Sequence, residues 1–137
     1  MFTVAHHLAE TFPHALQSME RLRDVKELLG FFADDAVLSN LGAAHDLHGT
    51  AGVSQFWRSY LDRFSEIRSE FTHLHMSSRA VVLEWCSEGR LTDGQPISYA
   101  GVSILAFNPE GKISEFRTYY DSAAFVGKAA SSSAPAH

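Results

Sequence analysis

A carboxylate set among aromatic and apolar residues is the first candidate for chemistry in this chain. Asp121 follows Tyr119 and Tyr120, and the apolar segment 123–125 comes shortly after it. Neighbours of this kind keep water from a carboxylate, raise its pKa toward neutrality and so suit it to proton transfer. Asp121 is therefore a candidate catalytic acid or base.

Strand alternation opposes this interpretation of Asp121. On strict alternation Asp121 shares a sheet face with Glu115 and Arg117, a polar row of the kind that normally faces water. A β-bulge resets which side chains point inward, and one is needed to turn Asp121 into a cavity if it is to act as a catalytic group. The alternative is an aspartate in solvent that caps the following turn.

Large amphipathic side chains and one serine are candidates for contacting a small molecule. They are Trp57, Tyr60, Trp85, Ser87 and Tyr119. A buried indole N–H or phenol O–H needs a hydrogen-bond partner, which a ligand can supply. Ordinary core packing is the alternative for each aromatic residue.

Metal and thiol chemistry find little support. His45 with His48, and His73 with His75, have spacings that could hold an ion, but neither pair has the third protein ligand of a typical catalytic zinc site. Cys86 has no general base or cationic neighbour to activate it. No dinucleotide fingerprint is present. We expect no metal and no organic cofactor.

The first pattern along the chain is a helical spacing of apolar residues. Apolar residues recur at this spacing from Pro13 to about Phe32, which predicts one helix with Pro13 in its first turn, or two helices broken near Asp24. A further helix is predicted after an N-cap at Thr50, with an apolar face that runs to Phe64.

Strand patterns follow these helices. Runs rich in β-branched and aromatic residues predict strands over 67–76, 80–91, 97–107 and 112–121, and a shorter pair over 36–40 and 45–48. The connections between the four long runs are short, which favours antiparallel neighbours. We therefore predict an α+β fold in which N-terminal helices cover one face of a curved antiparallel sheet, and such strands can enclose a cavity.

The composition describes one compact domain. With 137 residues, 45% of them apolar, we expect a single domain over 1–128 and a disordered tail rich in Ala and Ser over 129–137. A net charge of -5 argues against binding to nucleic acid or an anionic membrane. There is no apolar run of about 18 residues and no signal-peptide pattern, and only one cysteine, so we expect a cytoplasmic protein.

A homodimer is expected from the opposite sheet face. Residues that alternate with Trp85 and Ser87 form an outer row that includes Cys86. The next strand adds a continuous apolar row, namely Ala100, Val102, Ile104 and Ala106. A row of this length is rarely left in water, so we expect two copies to pair through it.

Six short segments occur in a recognisable order: Phe32–Val37, Leu47–Gly49, Phe56–Trp57, Val82–Trp85, Gly111–Ile113 and Phe116–Asp121. Together they resemble the nuclear-transport-factor-like superfamily, with its SnoaL-like polyketide cyclases, ketosteroid isomerase and limonene epoxide hydrolase. The resemblance implies a cone-shaped α+β fold around a deep and mostly apolar pocket. It also implies that Asp121 reaches this pocket, because similar cyclases and epoxide hydrolases supply an acid/base carboxylate from this position.

The resemblance gives Asn40 a place in the same pocket. Ketosteroid isomerase would carry its aspartate base there, and an amide cannot take an α-proton at neutral pH, which argues against steroid isomerisation. The epoxide hydrolases have an asparagine there that helps hold the attacking water, but this chain has Trp85 and Ser87 where they need an arginine and a second aspartate. Asn40 is therefore expected to orient a carbonyl or a water; the alternative is that it satisfies local turn backbone.

Two functions remain open from the sequence. The first is a cofactor-free enzyme in which Asp121 moves a proton on a hydrophobic, carbonyl-containing small molecule while Asn40 or Tyr60 polarises its oxygen. The products would be isomerised, cyclised or dehydrated compounds. The second is a non-catalytic small-molecule-binding or dimerisation domain. The environment of Asp121 discriminates between them.

Overall fold

The architecture comes from a computed structural model that describes residues 3–40 and 45–125. The helices in these residues are α1 (Thr3–Leu22), α2 (Lys26–Leu29) and α3 (Gly49–Asp62), with a 3-10 helix over Ser122–Phe125. The strands are β1 (Phe32–Asn40), β2 (Leu47–His48), β3 (Phe64–Met76), β4 (Ala80–Leu91), β5 (Pro96–Phe107) and β6 (Ile113–Tyr120). The predicted tail over 129–137 lies outside the described residues.

The six strands form one curved, open sheet in the order β2-β1-β6-β5-β4-β3. The helices cover one face of this sheet, which confirms the α+β prediction. The expectation of a purely antiparallel sheet is wrong at one pair, because β1 and β6 run parallel. The four strands from β3 to β6 do form an antiparallel meander.

The first helix starts earlier than predicted. α1 begins at Thr3, so Pro13 lies inside it rather than in its first turn. An interior proline removes one helical hydrogen bond. Burial of Pro13, together with Ala5 and Leu8 earlier on the same helix, offsets that loss. The apolar stripe therefore extends through the whole of α1.

The alternative of two helices broken near Asp24 is correct. α1 ends at Leu22, and Arg23 takes the left-handed backbone conformation with φ +57° that commonly ends a helix. The Arg23 guanidinium then donates to the carbonyl oxygens of Leu61 and Phe64, at 2.8 and 2.9 Å. Arg23, at the break between α1 and α2, thus connects this part of the chain to the C-terminal end of α3.

Several predicted boundaries shift by a few residues. Phe32 and Phe64 begin β1 and β3, whereas apolar periodicity placed each at the end of a helix. A buried residue that starts a strand directly after a helix continues the apolar pattern, which explains the error. The N-cap of α3 is His48, and Thr50 lies inside the helix.

The core between α1, α3 and the inner sheet face is mostly aliphatic and contains a group of packed aromatic rings. Phe12 of α1 is fully buried, and its ring centroid lies 6.4 Å from that of Trp57 and 6.1 Å from that of Phe116.

No helix in the described part of the chain is long and apolar enough to cross a membrane.

The backbone of Gly101 packs closely against the Trp85 side chain on the neighbouring strand. Gly101 of β5 pairs with Trp85 of β4. A Cβ atom on Gly101 would lie 2.5 Å from the Trp85 ring and 2.5 Å from the Tyr119 carbonyl oxygen. The missing side chain lets the Trp85 indole lie across β5 and donate its N–H to Ser103 Oγ at 3.0 Å.

Gly101→Ala should therefore lower the free energy of unfolding by about 1–3 kcal/mol, the usual cost of overpacking. Urea denaturation of both proteins measures this difference. Gly30→Ala is a matched control, because its backbone is helical and the nearest atom to an added Cβ is 3.6 Å away. Equal stability of the Gly101 variant and the wild type would contradict the packing argument.

Candidate functional site

A cavity of about 340 Å³ lies between the inner face of the sheet and the helices α1 and α3. Its lining is mostly apolar and aromatic: Phe12, Leu16, Leu38, Leu47, Phe56, Trp57, Tyr60, Phe71, Leu83, Trp85, Tyr99, Phe116 and Tyr120. The polar and charged lining residues are Ser39, Asn40, His45, Gln55, Ser59, Arg63, Ser69, Ser87, Ser103 and Thr118. Polar groups placed among apolar and aromatic side chains in a cavity are typical of a small-molecule site.

Five of the residues singled out from the sequence line this cavity. They are Asn40, Trp57, Tyr60, Trp85 and Ser87. Trp57 and Tyr60 lie one turn apart on α3, whereas Trp85 and Ser87 lie two residues apart on β4. Each spacing puts its two side chains on one face. The structure thus brings together the residues that β1, α3 and β4 contribute.

Asp121 and Tyr119 do not line the cavity, so the predicted inward position of Asp121 is wrong. Thr118 and Tyr120 line it, and alternation along β6 turns Tyr119 to the other face. Asp121 follows the strand, is exposed, and accepts a hydrogen bond from the Ala123 N–H at 2.9 Å. The expected bulge is absent from the described pairing at this end of β6, so strand alternation holds.

A buried carboxyl group lies behind the cavity wall instead. Glu20 of α1 is only 5% exposed. It accepts the Ser69 backbone N–H at 2.9 Å, the Ser69 hydroxyl at 2.6 Å and the Tyr60 hydroxyl at 2.6 Å. The Ser69 hydroxyl is also 2.6 Å from that of Ser87. Because Tyr60, Ser69 and Ser87 all line the cavity, these hydrogen bonds connect Glu20 to it.

Burial raises the pKa values of Glu20, Tyr60 and Tyr99. Loss of hydration raises the pKa of Glu20 above its ordinary value, although the hydrogen bonds from Ser69 and Tyr60 oppose the shift. Burial, with the nearby Glu20 charge, raises the pKa of Tyr60 well above its ordinary value. Desolvation likewise raises the pKa of Tyr99. Tyr60 and Tyr99 are therefore neutral phenols at physiological pH, and Glu20 takes up a proton more readily than a surface glutamate.

The protonation state of Glu20 determines whether the Tyr60 hydroxyl is free to donate a hydrogen bond into the cavity. An ionised Glu20 accepts the Tyr60 O–H, so that the phenol proton is already used. A protonated Glu20 can donate to the Tyr60 oxygen, and the phenol O–H is then free for another acceptor. The pair can therefore pass a proton toward a group bound in the cavity.

Two buried polar atoms of the cavity lining have no hydrogen-bond partner among the described residues. These are the Asn40 Oδ1 acceptor and the Trp57 Nε1–H donor. Nearby polar groups are satisfied differently: the Trp85 indole donates to Ser103, and Ser103 Oγ lies 2.9 Å from Thr118 Oγ1. Unpaired buried polar atoms are costly, so each one needs an explanation.

Sequence reasoning missed Glu20 and Ser69. A signal for Glu20 was present, because it lies four residues after Leu16 and next to Met19, inside the apolar stripe of α1. A carboxylate in such a stripe is rarely buried unless it has a partner. The partner is Ser69 on β3, distant in sequence, and no local pattern connects the two.

A second groove, of about 900 Å³, lies on the other side of Glu20. Gln17, Glu20 and Ser69 contribute to its wall, and Gln17 donates to the Ser69 carbonyl oxygen at 3.0 Å. Glu20 therefore lies between this groove and the residues that line the cavity.

The histidine pair on β3 lies away from the cavity. His75 Nε2 is 2.8 Å from one carboxylate oxygen of Glu84, and His73 Nδ1 is 3.5 Å from the other. Over residues 3–40 and 45–125 the structure shows no group of three or more His, Cys, Asp or Glu side chains placed to hold a metal ion. Cys86, on the same strand as Glu84, is exposed.

The fold and its cavity define a nuclear-transport-factor-2-like (NTF2-like) α+β protein, and comparisons with known proteins agree. Residues 10–116 match the family model of the SnoaL-like domain, so the chain belongs to the SnoaL-like family. A search of the curated proteins found no match.

Several solved structures have a similar fold. An NTF2-like protein from Anabaena variabilis ATCC 29413 has a TM-score of 0.78 and 15% identity, over 86% of this chain and 90% of that one. A LEH-like epoxide hydrolase from M. tuberculosis has a TM-score of 0.70 and 19% identity, over 91% and 88%. TerC, co-crystallised with polyporic acid, has a TM-score of 0.70 and 19% identity, over 82% and 90%.

Proposed function

We propose that this protein binds a mostly apolar, oxygen-bearing small molecule in the cavity and catalyses a proton transfer on it. The observation that carries the proposal is the buried Glu20 carboxyl, which hydrogen-bonds to a phenol of the cavity lining. The proposed chemistry uses side chains of this chain and a water molecule. Isomerisation, cyclisation and dehydration all begin with such a transfer.

The step can be written for a carbonyl-bearing ligand. Tyr60 donates its phenol proton to the ligand oxygen and takes the proton of Glu20 in exchange. A water molecule removes the α-proton of the activated ligand, which gives the enol, a Glu20 carboxylate and a hydronium ion. Return of that proton to Glu20 closes the cycle. Burial favours the protonated carboxyl with which the step begins.

Proteins of similar fold give this proposal indirect support. The proteins of similar fold include one described as an epoxide hydrolase and one crystallised with polyporic acid. The second candidate function is ligand binding without catalysis. It is favoured by the position of Asp121, since the carboxylate expected from the resemblance is exposed and outside the cavity.

Deuterium exchange at the α-carbon of 2-tetralone, an apolar bicyclic ketone, tests the proposal. We expect the wild type to accelerate exchange over buffer in D2O, as followed by NMR. Tyr60→Phe should lower this acceleration about tenfold, since a water in the space of the missing hydroxyl restores only part of the acid catalysis.

Tyr119→Phe is the matched control, because it removes a phenol that lies outside the cavity. It should keep the wild-type rate, and so should Asp121→Asn. If the wild type binds 2-tetralone but does not accelerate exchange, the result contradicts the proposed catalysis and supports ligand binding without catalysis.

A further inference from the structure

We propose that the ligand carries a hydroxyl group that binds to Asn40 and Trp57. This inference rests on the proposed function, and it names the chemical class of the molecule that the cavity accepts. Its basis is the pair of unpaired atoms, Asn40 Oδ1 and Trp57 Nε1, each buried in the lining without a partner among the described residues.

The two atoms make opposite demands. The Asn40 carbonyl oxygen needs a donor, and the Trp57 indole N–H needs an acceptor. A ketone, an ether or a carboxylate supplies acceptors alone and leaves Asn40 unpaired. A hydroxyl supplies its hydrogen to Asn40, while its oxygen, or another oxygen of the ligand, accepts from Trp57.

No polar group of the described residues pairs with either atom. Trp85, Ser103 and Thr118 hydrogen-bond to one another along the sheet, and Tyr60 is bound to Glu20. Ammonium ligands would also offer a donor, but among the described lining residues Arg63 is charged and no Asp or Glu is present. A neutral hydroxyl therefore fits the cavity better than a cation.

Trp57 lies in an aromatic part of the cavity lining. Trp57 is 3% exposed and its ring contacts those of Phe56, Tyr60 and Phe116, with centroids 4.9, 5.8 and 5.3 Å away. In such surroundings an unmatched polar atom costs more than it does in water. The hydroxyl thus contributes selectivity as well as affinity.

The test compares 2-naphthol with 2-methoxynaphthalene, in which a methyl group replaces the donor hydrogen, by calorimetric titration. We expect the wild type to bind 2-naphthol about 5- to 150-fold more tightly, the range that corresponds to leaving one buried polar group unpaired. Asn40→Leu should reduce this ratio to within about twofold, chiefly by weakening 2-naphthol. Trp57→Phe should weaken both probes, because both offer it an acceptor.

Thr72→Leu provides a polar-to-leucine control on an exposed strand position outside the cavity and should keep the wild-type ratio. Equal affinities in the wild type, an unchanged ratio in Asn40→Leu, or no binding of either probe to folded protein would overturn the proposal. The readout is independent of turnover. A wild type that accelerates 2-tetralone exchange but does not prefer 2-naphthol contradicts this inference alone. A wild type that prefers 2-naphthol but does not accelerate exchange contradicts the acid/base function alone.

Discussion

Glu20→Gln is expected to slow 2-tetralone exchange by about 100-fold or more, within the usual contribution of general acid–base catalysis. The amide keeps the shape of the side chain and still accepts the Ser69 N–H, but it has no proton to pass to Tyr60. In the wild type the rate should fall as pH rises through the Glu20 pKa, because only the neutral carboxyl donates. The variant should lose this pH dependence, and a pH–rate profile of both proteins measures it.

Stability measurements separate this chemical role from a structural one. Burial raises the pKa of Glu20 above its ordinary value of 4.5, so the protonated form stabilises the fold. The wild type therefore has this contribution in full below pH 4.5 and loses it as pH rises through the folded-state pKa. Glu20→Gln should show no such loss in urea denaturation over the same interval.

Glu10→Gln is the matched control, since it removes an exposed carboxylate from the same helix. It should leave the exchange rate at the wild-type value. A Glu20→Gln protein with the wild-type rate and pH profile would show that Tyr60 does not receive its proton from Glu20.

Phe12→Ala is expected to have the largest effect on stability, a loss of about 3–5 kcal/mol. Phe12 is fully buried, and its ring packs against Phe31, Phe32, Trp57 and Phe116 at centroid distances of 5.5, 6.3, 6.4 and 6.1 Å. Truncation leaves a space among large rings that cannot easily collapse. The midpoint and slope of urea denaturation give the change in the free energy of unfolding.

Leu22→Ala, on the same helix but 66% exposed, should change stability by less than about 0.5 kcal/mol. Phe12→Leu should lie between the two, because leucine fills part of the space. A loss equal to that of Leu22→Ala would contradict the central position of Phe12 in the core.

The sequence predicted the fold well where the pattern was local. β4 and β5 show the predicted alternation, and their bounds differ from expectation by at most one residue. Trp85 and Ser87 were therefore assigned correctly to one face. The parallel pairing of β1 with β6 was not predictable in the same way, because it depends on where the chain returns after the whole meander.

The candidate site shows the limits of local patterns in another way. Alternation along β6 predicted an outward row that includes Asp121, and the resemblance to known families predicted the opposite; the structure agrees with alternation. Glu20 lay in a helical stripe that suggested only core packing. Its role depends on contact between α1 and β3, which sequence periodicity does not describe.

The homodimer and the cytoplasmic location remain predictions. The row on β5 that suggested pairing is partly exposed at Val102, Ile104 and Ala106 and exposed at Ala100. Sedimentation at micromolar concentration measures the oligomeric state directly, and a monomer would contradict the expected pairing.

The position of Glu20 between the cavity and the second groove bears on how the proposed acid would regain its proton. The carboxyl group contributes to the groove wall and reaches the cavity through Tyr60 and Ser69. Under the proposed function, a proton from water in the groove can reach Glu20 while a ligand occupies the cavity. Glu20 can then be protonated again without release of the ligand.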